Sequence, residues 1–73
     1  MTLDIDARNT YCPQPILLLA KAMKNATPGD TLRVQATDPG FDPDVRAWCR
    51  SMKQELVSLV QASGVITAEI RKR

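Results

Sequence analysis

The chain has 73 residues, a formal net charge of +2, and apolar and charged fractions of 44% and 25%; these bound it to one small domain, residues 1–73, with a thin two-layer core and no room for a deep enclosed pocket. Two cysteines and no histidine cannot supply the three or four soft ligands of a zinc site, so neither a metal nor another cofactor is expected. No apolar run approaches the roughly 20 residues of a membrane span, and Met1-Thr2-Leu3-Asp4 lacks the basic and apolar regions of a signal peptide, so the expectation is a cytoplasmic protein with reduced thiols and no membrane partner.

Leu3, Ile5 and Ala7 alternate with Thr2, Asp4 and Asp6, the period of a half-buried strand. Pro13 and Pro15 then bracket a helix start, where a missing N–H costs nothing, and the helix is predicted from Pro13 to about Asn25. Ile16, Leu19, Met23 and Ala26 form its core stripe, opposite Gln14, Lys21, Lys24 and Asn25. Thr27-Pro28-Gly29-Asp30 reads as a turn. Leu32, Val34 and Ala36 alternate in a second strand, parallel to the first through a right-handed crossover.

After the Asp38-Pro39-Gly40 loop, Asp42 is predicted to cap a second helix, with Pro43 at its first position and Asp44 complementing the helix dipole. Val45, Trp48, Cys49 and Met52 would be its buried stripe. Leu56, Leu59 and Val60 fit either a longer helix or a new strand, and a strand over about Glu55 to Ala62 is favoured. A Ser63-Gly64 turn and an alternating strand from Val65 to Arg71 complete the order β-α-β-α-β-β. The fold class is α+β: a two-layer sandwich of a four-stranded mixed sheet with two helices on one face.

The chemistry concentrates at Cys12-Pro13-Gln14-Pro15. A residue before proline is pushed toward extended geometry, which suits an N-cap, so Cys12 is predicted to cap the first helix with its sulfur accepting the N–H of Gln14. The helix dipole there would favour a thiolate or a persulfide anion. No histidine accompanies it, and Asn9 to Met23 contains no carboxylate to serve as a general base, which argues against hydrolytic cysteine catalysis. A thiolate that only receives and passes on an atom needs neither group. The competing reading is a small buried cysteine beside prolines that mark only a helix start.

Cys49 lies on the predicted core stripe and is expected to be buried, as is Trp48, although Cys49 remains a possible second thiol. Leu17 and Leu18 flank the polar side of the first helix, where they suit either a partner-docking patch beside Cys12 or packing under a loop. The closing Arg71-Lys72-Arg73 reads as a solvated strand end, and the sparse aromatics Tyr11, Phe41 and Trp48 argue against direct nucleic-acid binding. A small RNA-binding domain and a Cys12–Cys49 redox switch are the alternative functions; the switch needs a disulfide that a buried Cys49 would not form.

Leu3-Asp4-Ile5-Asp6-Ala7-Arg8, Cys12-Pro13-Gln14-Pro15-Ile16-Leu17-Leu18, Pro28-Gly29-Asp30, Ala36-Thr37-Asp38-Pro39-Gly40, Ala47-Trp48-Cys49 through Glu55-Leu56, and Ile70-Arg71-Lys72 together resemble the TusA/SirA-like sulfur carriers over nearly the whole chain. The resemblance implies the same β-α-β-α-β-β fold and a persulfide carried on Cys12. It implies a cysteine desulfurase or rhodanese-like protein as sulfur donor and a downstream acceptor protein in tRNA thiolation, molybdenum cofactor assembly or sulfur oxidation. Pro13 and Pro15 would shape the helix start, and Cys49 matches a cysteine of some relatives. Two positions depart from the pattern. Asn9 and Thr10 stand where the family usually has glycine and leucine, a place where asparagine can keep left-handed geometry, and Gln54 stands where relatives tend to have histidine.

Overall fold

A computed structural model describes residues 1–73. Its elements are β1 (Thr2–Ala7), α1 (Gln14–Asn25), β2 (Thr31–Ala36), α2 (Phe41–Met52), β3 (Glu55–Ala62) and β4 (Val65–Arg71). The sheet order is β1-β2-β4-β3. β1 pairs parallel with β2, Leu3 opposite Leu32 and Ile5 opposite Val34, while β4 lies antiparallel to both β2 and β3. The predicted class and element order match this architecture, and the strand reading of Glu55–Ala62 is the correct one.

The alternation seen in sequence sorts the two faces of the sheet. Leu32, Val34 and Ala36 of β2 and Ile66, Ala68 and Ile70 of β4 are buried under the helices together with Ala7, while Arg33 and Arg71 are exposed on the opposite face. Arg33 there bridges Asp4 of β1 and Glu69 of β4 at 3.7 and 3.8 Å. From the helices, Leu19, Met23, Ala26, Phe41, Val45 and Cys49 complete the core. β3 carries an irregularity between Leu56 and Ser58. That slip keeps Leu56 and Leu59 packed against the core while Val57 and Val60 face solvent. The β3–β4 hairpin closes on Ser63 and Gly64, whose φ of 53° and 78° give the paired left-handed geometry such two-residue turns need.

Both helix starts differ from the sequence reading. α1 begins at Gln14 with Pro13 as its N-cap, so Cys12 lies one residue outside the capping position. The N–H of Gln14 bonds to the Tyr11 carbonyl at 2.8 Å and not to sulfur, because a tight turn over Tyr11–Gln14 forms before the helix does. α2 begins at Phe41 with Gly40 as N-cap, not Asp42. Burial of Phe41, which is 1% exposed, anchors that first turn, and Pro43 still falls where a helical N–H has no partner.

The stripes also need correction. Pro15 is buried and Ile16 only half-buried on α1. On α2, Trp48 is half-buried and Met52 exposed, because the helix ends at Met52 and Lys53 turns the chain into β3 through left-handed geometry (φ 58°). These two side chains line an open groove of about 360 Å³ between the helix ends, with Ala20, Met23 and Lys72 among its other walls.

Lys72 is not a solvated strand end. Its ammonium donates to the carbonyls of Met23 at 2.9 Å and Ala26 at 2.6 Å, satisfying the open C-terminus of α1.

Candidate functional site

Topology decides what stands beside Cys12. β3 and β2 both run antiparallel to β4, so β3 runs with β2, and each helix returns against the strands it joins. Both helices therefore start at the same edge of the sandwich, the end where β1 and β2 finish. The loop before α1, the β2–α2 loop and the first turn of α2 meet there.

Cys12 is exposed and reduced at this pole. Its backbone N–H donates to Oδ2 of Asp38 at 2.8 Å, and Oδ1 of the same carboxylate accepts the Gly40 N–H at 3.1 Å. Asp38 thus clamps the cysteine's backbone to the start of α2. Asn9 takes the left-handed geometry expected of it (φ 64°), and its N–H donates to the Thr37 hydroxyl at 2.9 Å, a second tie between the two loops. The Cys12–Pro13 peptide is cis. Pro13 and Gln14 are exposed beside the thiol, and Pro15 is packed into the core beneath them.

The electrostatics reverse the sequence expectation. The Cys12 pKa is raised above an ordinary thiol's, first through side-chain hydrogen bonding with the Asp44 carboxylate, which favours the protonated thiol, then through desolvation, then through the charges of Asp44 and Asp38. These influences favour the neutral thiol, against the thiolate that the helix tip alone would favour. The field of the helix tip is opposed by the charges of Asp38 and Asp44, which tertiary structure brings to this pole.

Asp38 and Asp44 are two carboxylates of this pole that the motif alone does not include, since local pattern gives Asp44 only to its own helix dipole. A signal existed. With β-α-β-α order and both helices on one face, acidic residues opening the second helix must stand near the opening of the first.

The remaining candidates separate. Cys49 is 3% exposed, and burial pushes its thiol pKa up; it belongs to the core and not to the Cys12 surface. Leu17 is 56% exposed one turn along α1 from the cysteine, whereas Leu18 is half-buried against the core. Gln54 sits at the far end, where its side-chain oxygen accepts the Arg73 N–H at 2.8 Å. No three His, Cys, Asp or Glu side chains come together to hold a metal ion, and no helix is long and apolar enough to cross a membrane. The apolar groove lies at the opposite end from Cys12, about 18 Å away along the 12 residues of α1.

The fold is a two-layer α+β body that leaves one thiol, Cys12, exposed with no cavity around it. The family model described as Sulfurtransferase TusA matches residues 3–72, and the chain belongs to that family. Its role is accordingly that of a sulfur carrier or sulfurtransferase, working in relays with donors and acceptors. Among solved structures the chain is similar to the SirA-like protein from Desulfitobacterium hafniense, with 22% sequence identity and a TM-score of 0.83 over 97% of this chain and 96% of that one. That likeness independently supports the fold.

Proposed function

We propose that this protein carries sulfane sulfur as a persulfide on Cys12, accepting it from a cysteine desulfurase or rhodanese-like donor and passing it to an acceptor protein in the cytoplasm. The observation that carries this reading is the exposure of Cys12 at a pole fixed by Asp38, in a chain of the TusA sulfurtransferase family. The buried Cys49 offers no competing surface thiol.

The transfer is balanced without an external oxidant. The Cys12 sulfur attacks the outer sulfur of the donor persulfide; a new S–S bond forms to Cys12 as the donor's S–S bond breaks, and the electron pair leaves with the donor's inner sulfur. The proton lost by Cys12 is matched by one gained at that departing thiolate, so Cys12 gains a persulfide and the donor regains a thiol. Delivery is the same exchange with an acceptor thiol, or attack by another nucleophile on the outer sulfur. Because the cysteine stands on a convex surface with no pocket, the donor and acceptor must supply the walls of the reaction site. Pro13 and Gln14 shape the rim, and the exposed Leu17, with the edge of Leu18, offers an apolar contact within one turn.

The relays open to this carrier are tRNA thiolation, molybdenum cofactor assembly and sulfur oxidation. Incubation with each relay's donor, followed by intact-mass analysis, tests the assignment. One sulfur atom should appear on the wild type and none on Cys12→Ser; no uptake from any of the donors would overturn it.

A further inference from the structure

The chain has 10 lysines and arginines, and four of them, Arg8, Arg33, Arg46 and Arg71, sit in ion pairs with carboxylates. The other six are Lys21, Lys24, Arg50, Lys53, Lys72 and Arg73, and none pairs with an Asp or Glu. They fall on the later half of α1, at the end of α2 and just after β4. β4 finishes where β2 and β3 begin, so the fold gathers all six at the end of the sandwich opposite Cys12. Asp30 before β2 and Glu55 at the start of β3, the acidic residues of this end, are already held by the Met1 amine and Arg71. Lys72 is occupied by the C-terminal carbonyls of α1, which leaves the charge of the other cations uncompensated. The open groove of about 360 Å³ lies among them: Lys24 and Lys72 line it alongside Ala20, Met23, Trp48 and Met52, and no Asp or Glu does. Lys53 stands between Met52 and Gln54, both at the groove, and the Arg73 N–H is tied to the Gln54 side chain. Trp48 is half-buried and Met52 exposed, so the chain leaves apolar surface uncovered inside a basic rim.

We propose that this end is a second docking surface, which takes an acidic peptide segment of a partner protein. An apolar side chain of the segment seats between Trp48 and Met52, and its flanking carboxylates face Lys24, Lys53 and Arg73. Charge complementarity sets the sign of the partner, and the apolar walls set its class. The thioethers of Met23 and Met52 are flexible and polarizable, which lets them fit a side chain of irregular shape. A nucleic acid would meet the same charge, but its bases need rings to stack on, and Trp48 is the one aromatic residue of the groove. The surface lies at the far end from the thiol, so a partner held here leaves Cys12 uncovered. The inference goes beyond the carrier reading and does not depend on it.

Trp48 is the chain's one tryptophan and lines the groove, so its fluorescence reports occupancy. The test titrates the full chain with four probes: the peptide DEDLFDLEDE, its amide counterpart NQNLFNLQNQ, its serine counterpart DEDSSDSEDE, and an oligouridylate RNA. The first peptide should shift Trp48 emission saturably to shorter wavelength, with the amide and serine peptides binding several-fold more weakly. Met52→Asp should abolish the shift, and Lys24→Glu combined with Lys53→Glu should weaken binding several-fold. Val60→Asp, which puts the same charge at a comparably exposed apolar position on β3, should leave it unchanged. No saturable shift with DEDLFDLEDE, equal affinity for either counterpart, or tighter binding of the RNA would each overturn the proposal. So would sedimentation showing that copies of the chain cover Trp48 by pairing with each other. Should Met52→Asp fail to fold by circular dichroism, the comparison of the four probes on the wild type decides alone. Cys12→Ser should bind the acidic peptide as the wild type does, so this proposal and the carrier reading fail separately.

Discussion

Replacing Lys72 with methionine tests how the small core is closed. The substitution keeps an unbranched apolar stem along the groove but removes the ammonium that donates to the Met23 and Ala26 carbonyls at 2.9 and 2.6 Å. Hydrogen bonds involving a charged group contribute roughly 1.5–3 kcal/mol each when well buried. A cation at a helix C-terminus adds about 0.3–1 kcal/mol of dipole interaction. Lys72 is only half-buried and its two bonds share one charge, so water recovers part of the loss in the variant, and the expected cost is about 1–3 kcal/mol. In a domain of this length each kcal/mol moves the midpoint by about 4–8 °C, so a fall of about 4–24 °C in Tm is expected. Urea unfolding followed by circular dichroism should show a lower midpoint with an unchanged slope. Arg73→Met, which removes the neighbouring charge from a side chain with no partner, should stay within about 0.5 kcal/mol of wild type. If Lys72→Met matches Arg73→Met, the cap contributes nothing and the reasoning is refuted.

Other expectations follow from the same geometry. Leu19→Ala, at a fully buried position, should cost about 2.7–5 kcal/mol and leave a chain this small largely unfolded, whereas Leu17→Ala at an exposed one should leave stability within about 0.5 kcal/mol. Thiol titration with an aromatic disulfide should find one accessible cysteine in the native protein, Cys12, and a second only in denaturant, because Cys49 is buried; two thiols titrating before unfolding would contradict the packing of α2. The Asp6 carboxyl, held by hydrogen bonds from the Arg8 side chain and backbone, should titrate at about 2 instead of its ordinary 3.8. Since that folded value is depressed, the stabilising contribution is present above pH 3.8 and is lost as pH falls toward 2, which carboxyl NMR titration can follow; Arg8→Ala should reduce the shift without abolishing it, because the backbone N–H of residue 8 still donates to Asp6.

Much of the architecture was written in local pattern. Period-two alternation placed β1, β2 and β4, and proline positions marked both helix starts to within a residue or two. Phe41 shows where that reading stops: it stands four residues before Val45 and extends the α2 stripe, but Asp42 and Pro43 signal a later helix start and leave it in the preceding loop. Lys72 likewise looked like a solvated terminus, and only the tertiary fold, which brings the residue after β4 to the C-terminus of α1, carries it to carbonyls 46 and 49 residues earlier.

The site divides in the same way. Burial of Cys49 followed from its place on the α2 stripe, whereas the spacing around Cys12 fits a buried cysteine as well as the exposed one that the structure shows. The ionisation of Cys12 did not follow, because a helix tip is a local source of field, while Asp38 and Asp44 come to its pole through tertiary structure. The fold therefore presents the cysteine as expected and restrains it in a way that the motif alone does not express.

The most direct measurement is mass spectrometry of the intact protein and its Cys12 peptide after incubation with a persulfide donor under reducing-agent-free conditions. The account predicts one added sulfur atom, localised to Cys12 and absent from Cys12→Ser, with Cys49 unmodified. Sulfur found on Cys49, or a wild-type mass unchanged by every donor tried, would contradict it.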